Sequence, residues 1–291
     1  KLRLSDTIGM YIPDIDDAAA KRVTIQQLLT HTSGYRPDFD LGEKWTGREG
    51  MLAALKKEKL RAAPGTRFVY SDIGFIVLGE IIFRVATVDN GLGYDFCGLT
   101  NFAPQMVFAP TGMKASGFIP VDFSPLDGEI SPGHLLLRGV PHRGSIETKL
   151  TDYAPTENVR GQGNYLGSSF DGKKEIGDQI LRAVVHDPTA LRMGGIAGHA
   201  GLFSNADDLA RYCQMLLNGG ISPAEDYGKN SEGKRLVYGP WRVMSAQTVA
   251  KMTAPVVVSE SGDARGLGWD INTSFSSNRG EFFPLGSLGH T

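Results

Sequence analysis

Cysteine is scarce in this sequence of 291 residues, in which only Cys97 and Cys213 are present. Two thiols cannot form a disulfide framework, and neither has a second thiol at the spacing of a metal-binding motif. We therefore expect both to be ordinary buried residues. A hydrophobic core must hold the chain together instead, and a chain of this length can bury a substantial one.

An excess of charge is also missing. The chain has 30 Lys and Arg residues against 32 Asp and Glu residues, for a net charge of −2, and no basic cluster. It therefore lacks the electrostatic footprint of nucleic-acid-binding proteins, and we expect no nucleic-acid partner. The longest apolar run, at residues 73–83, is broken by Glu80. Since a membrane span needs about 20 apolar residues, we predict no integral membrane segment.

Three common catalytic signatures are absent: the Gly-x-Ser-x-Gly elbow, the P-loop and the HExxH zinc motif. Ser-x-x-Lys occurs once, from Ser231 to Lys234, within the polar loop YGKNSEGKRL. A serine that is activated by a lysine one helical turn later needs a rigid helix start, and this loop offers none. We do not expect Ser231 to be a nucleophile.

Histidines raise the possibility of a metal site. Zinc needs three or four convergent ligands, and the spacings here match no compact motif. Asp187 has an alternative role as a helix cap, because Pro188 follows it in the first helical turn. We therefore expect no metal, and the family resemblance described below implies no organic cofactor either. The histidines considered as ligands are His134, His142, His186 and His199.

Helices are predicted over much of the chain, and strands near its C-terminal end. Thr24 and Gln27 have the spacing of a capping box for a helix that Gly34 ends. Proline and glycine break up residues 86–185, where we expect turns, short helices and irregular excursions. Further helices are predicted at 48–60, 72–85, 187 onward, 204–218 (capped by Ser204 and Asp207, with an apolar stripe of Leu209, Tyr212, Cys213, Leu216 and Leu217) and 245–252. Paired antiparallel strands are predicted at 266–271 and 285–291.

Tyr70, Ser71 and Asp72 directly precede an apolar helix, in the stretch RFVYSDIGFIVLGEII. Ser71 or Asp72 can cap that helix by accepting hydrogen bonds from its first backbone N–H groups. Catalysis is the alternative, because the positive end of a helix stabilises an oxyanion or a phenolate. Capping alone does not account for the tyrosine.

Three histidines outside this stretch are candidates for the same site. His31 ends a capped helix, where its imidazole can bond the last free carbonyls. His199 lies in a glycine-rich turn and either lines a site or, as we favour, bonds the loop to itself. His290 follows Gly289 in a predicted strand and precedes Thr291, so a ligand can approach the strand edge closely.

Several segments, taken in order, resemble the serine β-lactamase and penicillin-binding-protein family, and most closely its class C-like and esterase branch. The resemblance covers most of the chain and is weak at residues 86–105 and 120–180. It implies an α+β fold in which a helical lobe packs on an antiparallel sheet. It further implies one β-lactamase-related domain over residues 1–291, truncated at both ends. The segments are LLTHTSGY, FVYSDIGFIVLGEII, VFAPTGMKASGF, GGIAGHAGLFSNADDLARY, RGLGWDI and GHT.

The resemblance also implies site residues. Of the family's three motifs, Tyr-x-Asn falls on Tyr70, Ser71 and Asp72, with aspartate in place of asparagine. Lys-or-His-Thr-Gly falls on His290 and Thr291, and Ser-x-x-Lys is expected upstream of Lys1. Tyr70 and His290 are then catalytic, on opposite walls of a site between lobe and sheet. Ser71, Asp72 and Thr291 contact substrate.

The implied activity is that of a serine hydrolase, which forms an acyl-enzyme on an ester, a D-amino-acid peptide or a β-lactam. Asp72 only accepts hydrogen bonds when ionised, which favours an esterase or D-Ala peptidase over a true β-lactamase. The substrate is a small molecule or peptidoglycan-like, and the resemblance suggests a periplasmic or secreted protein. The chain alone is expected to be inactive. The alternatives are a non-catalytic binding module that retains the fold and, more distantly, a metal-dependent hydrolase.

Overall fold

A computed structural model of the chain describes residues 2–90, 98–119, 152–158, 180–230, 232–279, 282–284 and 286–290. The chain divides into two compact units. Unit 1 comprises Lys1–Thr100 and Gly117–Phe203, and unit 2 comprises Asn101–Ser116 and Ser204–Thr291. The expectation of a single domain over residues 1–291 stays a prediction.

Helices account for most of the regular structure before residue 120. Over all the described residues, the helices are α1 (Ile8–Tyr11), a 3₁₀ helix (Ala20–Arg22), α2 (Ile25–Leu29), α3 (Gly47–Lys57), α4 (Asp72–Asn90), α5 (Leu99–Ala103), a π-helix (Pro104–Phe108), α6 (Ala109–Thr111), α7 (Pro188–Arg192), α8 (Ala206–Leu217), α9 (Ala246–Thr253) and a further 3₁₀ helix (Ser274–Arg279). In the described residues, no helix has the length and apolar character that a membrane crossing demands.

The strands are short and pair antiparallel. They are β1 (Gly117–Phe118), β2 (Pro155–Asn158), β3 (Ile180–Arg182), β4 (Leu202–Phe203), β5 (Ile221–Ser222), β6 (Glu225–Lys229), β7 (Arg235–Tyr238), β8 (Trp241–Arg242), β9 (Val256–Val257), β10 (Ala264–Arg265) and β11 (Asp270–Asn272). The pairs are β1 with β4, β2 with β3, β5 with β8 and β6 with β7, and β10 lies between β9 and β11. Helices and antiparallel strands together confirm the predicted α+β class.

The core of unit 1 is built around α4. Ile73, Ile76, Val77 and Ile81 recur at helical spacing and are all buried, together with Leu28 of α2. Burying each such aliphatic side chain contributes about 1.5–3 kcal/mol relative to leaving it exposed. Because α2 and α4 share this core, the loop that follows α2 lies close to the start of α4.

Glu80, which interrupts the apolar run of α4, is buried but paired. Its carboxylate accepts hydrogen bonds from Nε and Nη2 of Arg48, at 2.9 and 2.6 Å, and from Nε of Arg84 at 2.6 Å. A buried carboxylate without such partners would be strongly destabilising. Pairing with Arg48 and Arg84 therefore allows Glu80 to lie in a core helix.

Three of the predicted helix starts are confirmed. Thr24 and Gln27 form the capping box of α2. Asp187 caps α7 by accepting from the N–H of Ala190, and Ser245 caps α9 by accepting from the N–H of Thr248. These caps are local hydrogen bonds between near neighbours, which is why the sequence predicts them well.

The predicted end of α2 at Gly34 is wrong. The helix ends at Leu29, because His31 already adopts a left-handed backbone with φ of 55°. Gly34 is also left-handed but belongs to the following turn. The helix predicted at 48–60 runs from Gly47 to Lys57, and the one predicted at 72–85 extends to Asn90.

Two predictions about α8 are also wrong. Its cap is Asn205, which accepts from the N–H of Asp208, because the hydroxyl of Ser204 bonds that of Ser116 instead. Its buried side carries Asp208 and Met215. Cys213 is exposed rather than buried, as are Leu209 and Leu217 of the predicted stripe. Cys97 lies outside the described residues.

The C-terminal strands are shorter than predicted. Residues 266–269 form the turn between β10 and β11, where Gly268 has φ of 79° and the N–H of Gly266 bonds the carbonyl of Trp269. From 286–290, a single antiparallel bridge joins Gly289 to Asp270. Within residues 86–185, the stretches 91–97, 120–151 and 159–179 lie outside the described part of the chain.

Gly198 permits a close backbone approach in unit 1. A Cβ atom at this position would lie 1.9 Å from the carbonyl oxygen of Phe75 in α4. The glycine-rich turn that carries His199 therefore packs directly on the first turns of α4. Any larger residue at 198 would force the turn away from the helix.

We predict that Gly198→Ala destabilises the protein by about 2–3 kcal/mol, because the added methyl group overlaps backbone that cannot rotate away. Gly74→Ala is the matched control, since its Cβ would meet nothing closer than 3.7 Å, and alanine favours the helix by up to about 1 kcal/mol. Thermal unfolding followed by circular dichroism measures both. Equal melting temperatures for the two variants would contradict the close approach.

Candidate active site

The Tyr70–Ser71–Asp72 segment is held by hydrogen bonds to residues 31–37. The N–H of Val69 donates to the carbonyl of His31 at 2.9 Å, and the N–H of Asp72 donates to the carbonyl of Pro37 at 2.7 Å. The fully buried hydroxyl of Ser71 donates to the carbonyl of Arg36 at 2.6 Å. This hydroxyl therefore fastens the segment to the preceding loop, and the predicted cap of α4 by Ser71 is not formed.

His31 is the central contact of this segment. Its Nδ1 accepts a hydrogen bond from the N–H of Ser71 at 3.0 Å, and its ring stacks on Tyr70 with centroids 4.5 Å apart. The His31 ring also stacks on Phe75, with ring centroids 4.8 Å apart. An Nδ1 that accepts a hydrogen bond carries no proton, so the imidazole is neutral with its proton on Nε2. His31 thus holds the backbone on both sides of Tyr70 and covers its ring.

The role of His31 was only partly anticipated. The sequence placed it at the end of α2, where bonding to that helix's own carbonyls is the common arrangement. Its Nδ1 instead serves a segment 40 residues further along the chain. A histidine in left-handed backbone is unusual, and such strain is a signal that points to a fixed role.

Asp72 lies beside a second group of polar side chains. Asp72, Asp187 and His199 each offer a donor atom, and these atoms lie within 4.8 Å of one another. Nε2 of His199 is 2.8 Å from Oδ1 of Asp187. The sequence favours a hydrogen bond from His199 within its own loop. The partner is instead Asp187, the N-cap of α7. Nearby, Asp38 accepts from the hydroxyl of Thr189 at 2.7 Å.

The electrostatics of these groups are coupled. Burial raises the pKa of Asp72 to about 6, the positive charge of His199 opposes the rise, and Asp38 and Asp187 add to it. Burial tends to lower the pKa of His199, but the hydrogen bond and negative charge of Asp187 dominate and raise it. For Asp187 the same hydrogen bond outweighs burial and lowers the pKa. Arg192 adds a second positive charge, which interacts with Asp38 and Asp187.

His290 is described only within unit 2. It is exposed and follows Gly289, which exchanges two backbone hydrogen bonds with Asp270, at 2.7 and 3.0 Å. The carboxylate of Asp270 accepts from Thr273 and Ser276, both at 2.6 Å, which anchors this bridge. Thr291 and Ser231 lie outside the described residues. The facing arrangement of Tyr70 and His290 therefore stays a prediction.

A comparison with protein families decides the assignment. The sequence profile of the family described as Beta-lactamase matches residues 1–291. The chain belongs to this family. The match confirms the resemblance that the ordered motifs indicated.

Curated relatives support the same assignment. Proteins from Escherichia coli and Salmonella agona, each named "Putative D-alanyl-D-alanine carboxypeptidase", are 27% and 26% identical over 311 and 310 residues. Each alignment covers 100% of this chain and 58% of the relative. The chain thus spans little more than half the length of these relatives.

Solved structures show the same fold. The octameric penicillin-binding protein homologue from Pyrococcus abyssi has a TM-score of 0.54 at 19% identity, over 93% of this chain and 48% of that one. A penicillin-binding protein from Bacillus halodurans gives 0.53 at 18%, over 92% and 61%. A β-lactamase/D-alanine carboxypeptidase from Pseudomonas syringae gives 0.51 at 18%, over 92% and 53%.

We predict that His31→Gly is less stable than His31→Asn by about 1–3 kcal/mol, the cost of leaving the buried N–H of Ser71 unsatisfied. Both residues tolerate the left-handed backbone and both remove the stacked ring, but only asparagine retains an acceptor oxygen. Denaturant unfolding of the two variants measures the difference. If asparagine is no more stable than glycine, the hydrogen bond from Ser71 does not have the role assigned to it.

Proposed function

We propose that this chain belongs to a serine hydrolase that acts through an acyl-enzyme on an ester or a D-amino-acid peptide. The observation that carries the proposal is the arrangement of Tyr70, which lies at the start of a buried helix and is held by His31 on both sides. Membership of the β-lactamase family supports it. The nucleophilic serine and its lysine are expected upstream of Lys1, as in the family's Ser-x-x-Lys motif.

Tyr70 is proposed to move the protons of the reaction. The serine oxygen attacks the carbonyl, its proton passes to the phenolate oxygen of Tyr70, and the leaving group then takes that proton. Water then attacks the acyl-enzyme. Tyr70 takes the proton of the water and gives a proton back to the serine oxygen. A phenolate needs positive charge nearby, and the start of α4, the expected lysine and protonated His290 are the proposed sources.

Asp72 is proposed to select the substrate. Among the described residues, no group donates a hydrogen bond to its carboxylate, so the oxygens can meet a donor on the substrate. Asparagine, which the family has at this position, can also donate to an amide carbonyl, whereas a carboxylate cannot. This favours an ester or a D-Ala peptide over a β-lactam that carries an acylated side chain. The name of the curated relatives agrees with a D-Ala peptide.

Ser71 and Thr291 have smaller proposed roles. Because Ser71 is buried and donates to Arg36, we propose that it contributes by fixing the segment between its two neighbours. Thr291 is proposed to contact the substrate beside His290, as the family motif implies.

A non-catalytic binding module is the rival function. It is favoured by the location of the only Ser-x-x-Lys in the sequence, which lies in the polar loop at 231–234.

We predict that Tyr70→Phe in the complete protein lowers kcat at least about 100-fold, because removal of a general base typically costs 10²–10⁴-fold. The fold should be unchanged, since phenylalanine preserves the ring that stacks on His31. Turnover of a p-nitrophenyl ester measures the effect. Tyr35→Phe is the matched control, because the buried Tyr35 hydroxyl makes no hydrogen bond among the described residues. Near-normal turnover by Tyr70→Phe would refute the assigned role.

We predict that Asp72→Asn in the complete protein increases the rate of acylation by benzylpenicillin relative to that by an ester substrate. The amide N–H restores the donor that a β-lactam side-chain carbonyl needs. One such hydrogen bond is worth about 0.5–1.5 kcal/mol, or about 2- to 10-fold in rate. Competition labelling with a fluorescent penicillin measures the ratio. An unchanged or lower ratio would show that Asp72 does not set this preference.

A further inference from the structure

His199 is a buried imidazole close to the carboxylate that the proposed function assigns to the substrate. Its side chain is only 4% exposed, and its Nε2 lies 2.8 Å from Oδ1 of Asp187. One carboxylate oxygen of Asp72, one of Asp187 and one ring nitrogen of His199 all lie within 4.8 Å of one another. The three side chains therefore form one electrostatic group, of which the proposed mechanism uses only Asp72.

The position of His199 is fixed by its surroundings. The preceding residue, Gly198, packs so closely on α4 that a Cβ atom there would lie 1.9 Å from the carbonyl oxygen of Phe75. The turn is thus held against the helix that Asp72 begins. Asp187, the partner of the ring, is tied to the first turn of α7 by the 2.6 Å bond from the N–H of Ala190. Side chains that are anchored in this way keep their geometry in a functional site.

The charges around His199 favour its protonated form. Burial lowers the pKa of His199, and its buried Nδ1 has no partner among the described residues. The hydrogen bond and charge of Asp187 and the charges of Asp72 and Asp38 outweigh burial, so that the pKa is raised. An imidazole beside carboxylates keeps its proton to higher pH than a free imidazole does. His199 therefore supplies positive charge to this group.

Two further charged groups bear on the site. Asp38, in the loop before α3, adds negative charge that raises the pKa of Asp72. Arg192 of α7 adds positive charge, which acts on Asp38 and Asp187. For Asp72 itself, burial raises the pKa to about 6, and the charge of His199 opposes that rise. The imidazolium thus favours the ionised form of the carboxyl group that faces the substrate in the proposed function.

We propose that His199 is a positioning residue for Asp72: held by Asp187, its imidazolium keeps the Asp72 carboxylate ionised, so that Asp72 offers only acceptors to the substrate. This inference rests on the proposed role of Asp72 in substrate selection. A protonated carboxyl group can donate a hydrogen bond, as asparagine can. Loss of the imidazolium should therefore make Asp72 behave like the asparagine that the family has at this position.

The first test is an NMR titration of the complete protein, which needs no turnover. Isotope labelling of the aspartate carboxyl carbons gives the signal of Asp72, which is assigned by its absence from Asp72→Asn. In the native protein this signal should titrate near pH 6. In His199→Gln the midpoint should rise by about one pH unit, because a nearby positive charge is lost. Glutamine can still donate a hydrogen bond to Asp187, so the variant removes the charge and retains a donor.

His186→Gln is the matched control. This histidine adjoins Asp187 but is exposed and contacts Glu157 at 3.0 Å, so its loss should leave the midpoint of Asp72 unchanged. Circular dichroism checks that each variant folds. The proposal is overturned if Asp72 has the same midpoint in folded His199→Gln as in His186→Gln. It is also overturned if, in the native protein, His199 is neutral throughout the pH range in which Asp72 is ionised, a result that depends on no variant.

Substrate preference gives a second readout. At neutral pH, His199→Gln should increase labelling by a fluorescent penicillin relative to ester turnover. The change should have the direction expected for Asp72→Asn and be smaller, because only part of the carboxyl group is protonated. A purely structural role would lower both rates together, so an unchanged ratio in the folded variant would overturn the effect on selection. If the complete protein forms no acyl-enzyme, the proposed function fails, whereas the titration still tests the pairing of His199 with Asp72.

Discussion

The hydrogen bond from the N–H of Ser71 to Nδ1 of His31 is the interaction on which the candidate site depends. It joins the loop after α2 to the start of α4, two elements that already share the core of unit 1. It also places the imidazole proton on Nε2, and the same ring stacks on Tyr70. A catalytic phenol must be held in one orientation to be useful, and packing plus one buried hydrogen bond contribute to this.

The second constraint is a group of three carboxylates that share the nearby positive groups His199 and Arg192. Asp38, Asp72 and Asp187 gather around His199, and burial raises the pKa of Asp72 to about 6. Like charges in a partly buried site are costly and persist where something compensates them. In the proposed function, a donor on the substrate provides part of that compensation at Asp72.

The sequence predicted the parts of this structure that local chemistry determines. The capping box at Thr24, the caps at Asp187 and Ser245 and the α+β class all follow from short-range patterns. The contacts of His31 and His199 could not be read in the same way, because each joins segments that only tertiary packing brings together. Ser204 illustrates a third case, since its contact with Ser116 overrides a capping pattern that looked sufficient. The ordered motifs identified the family, but local patterns could not give the contacts within the site.

The central claim is that the complete protein forms an acyl-enzyme on the serine of a Ser-x-x-Lys motif. Intact-mass spectrometry after treatment with a fluorophosphonate, followed by peptide mapping, tests this most directly. The account predicts one adduct per chain, located on a serine upstream of Lys1 at the start of an apolar helix. The absence of an adduct would contradict the account and favour a binding module that retains the fold. An adduct on Ser231 would contradict it by placing the nucleophile in the polar loop instead.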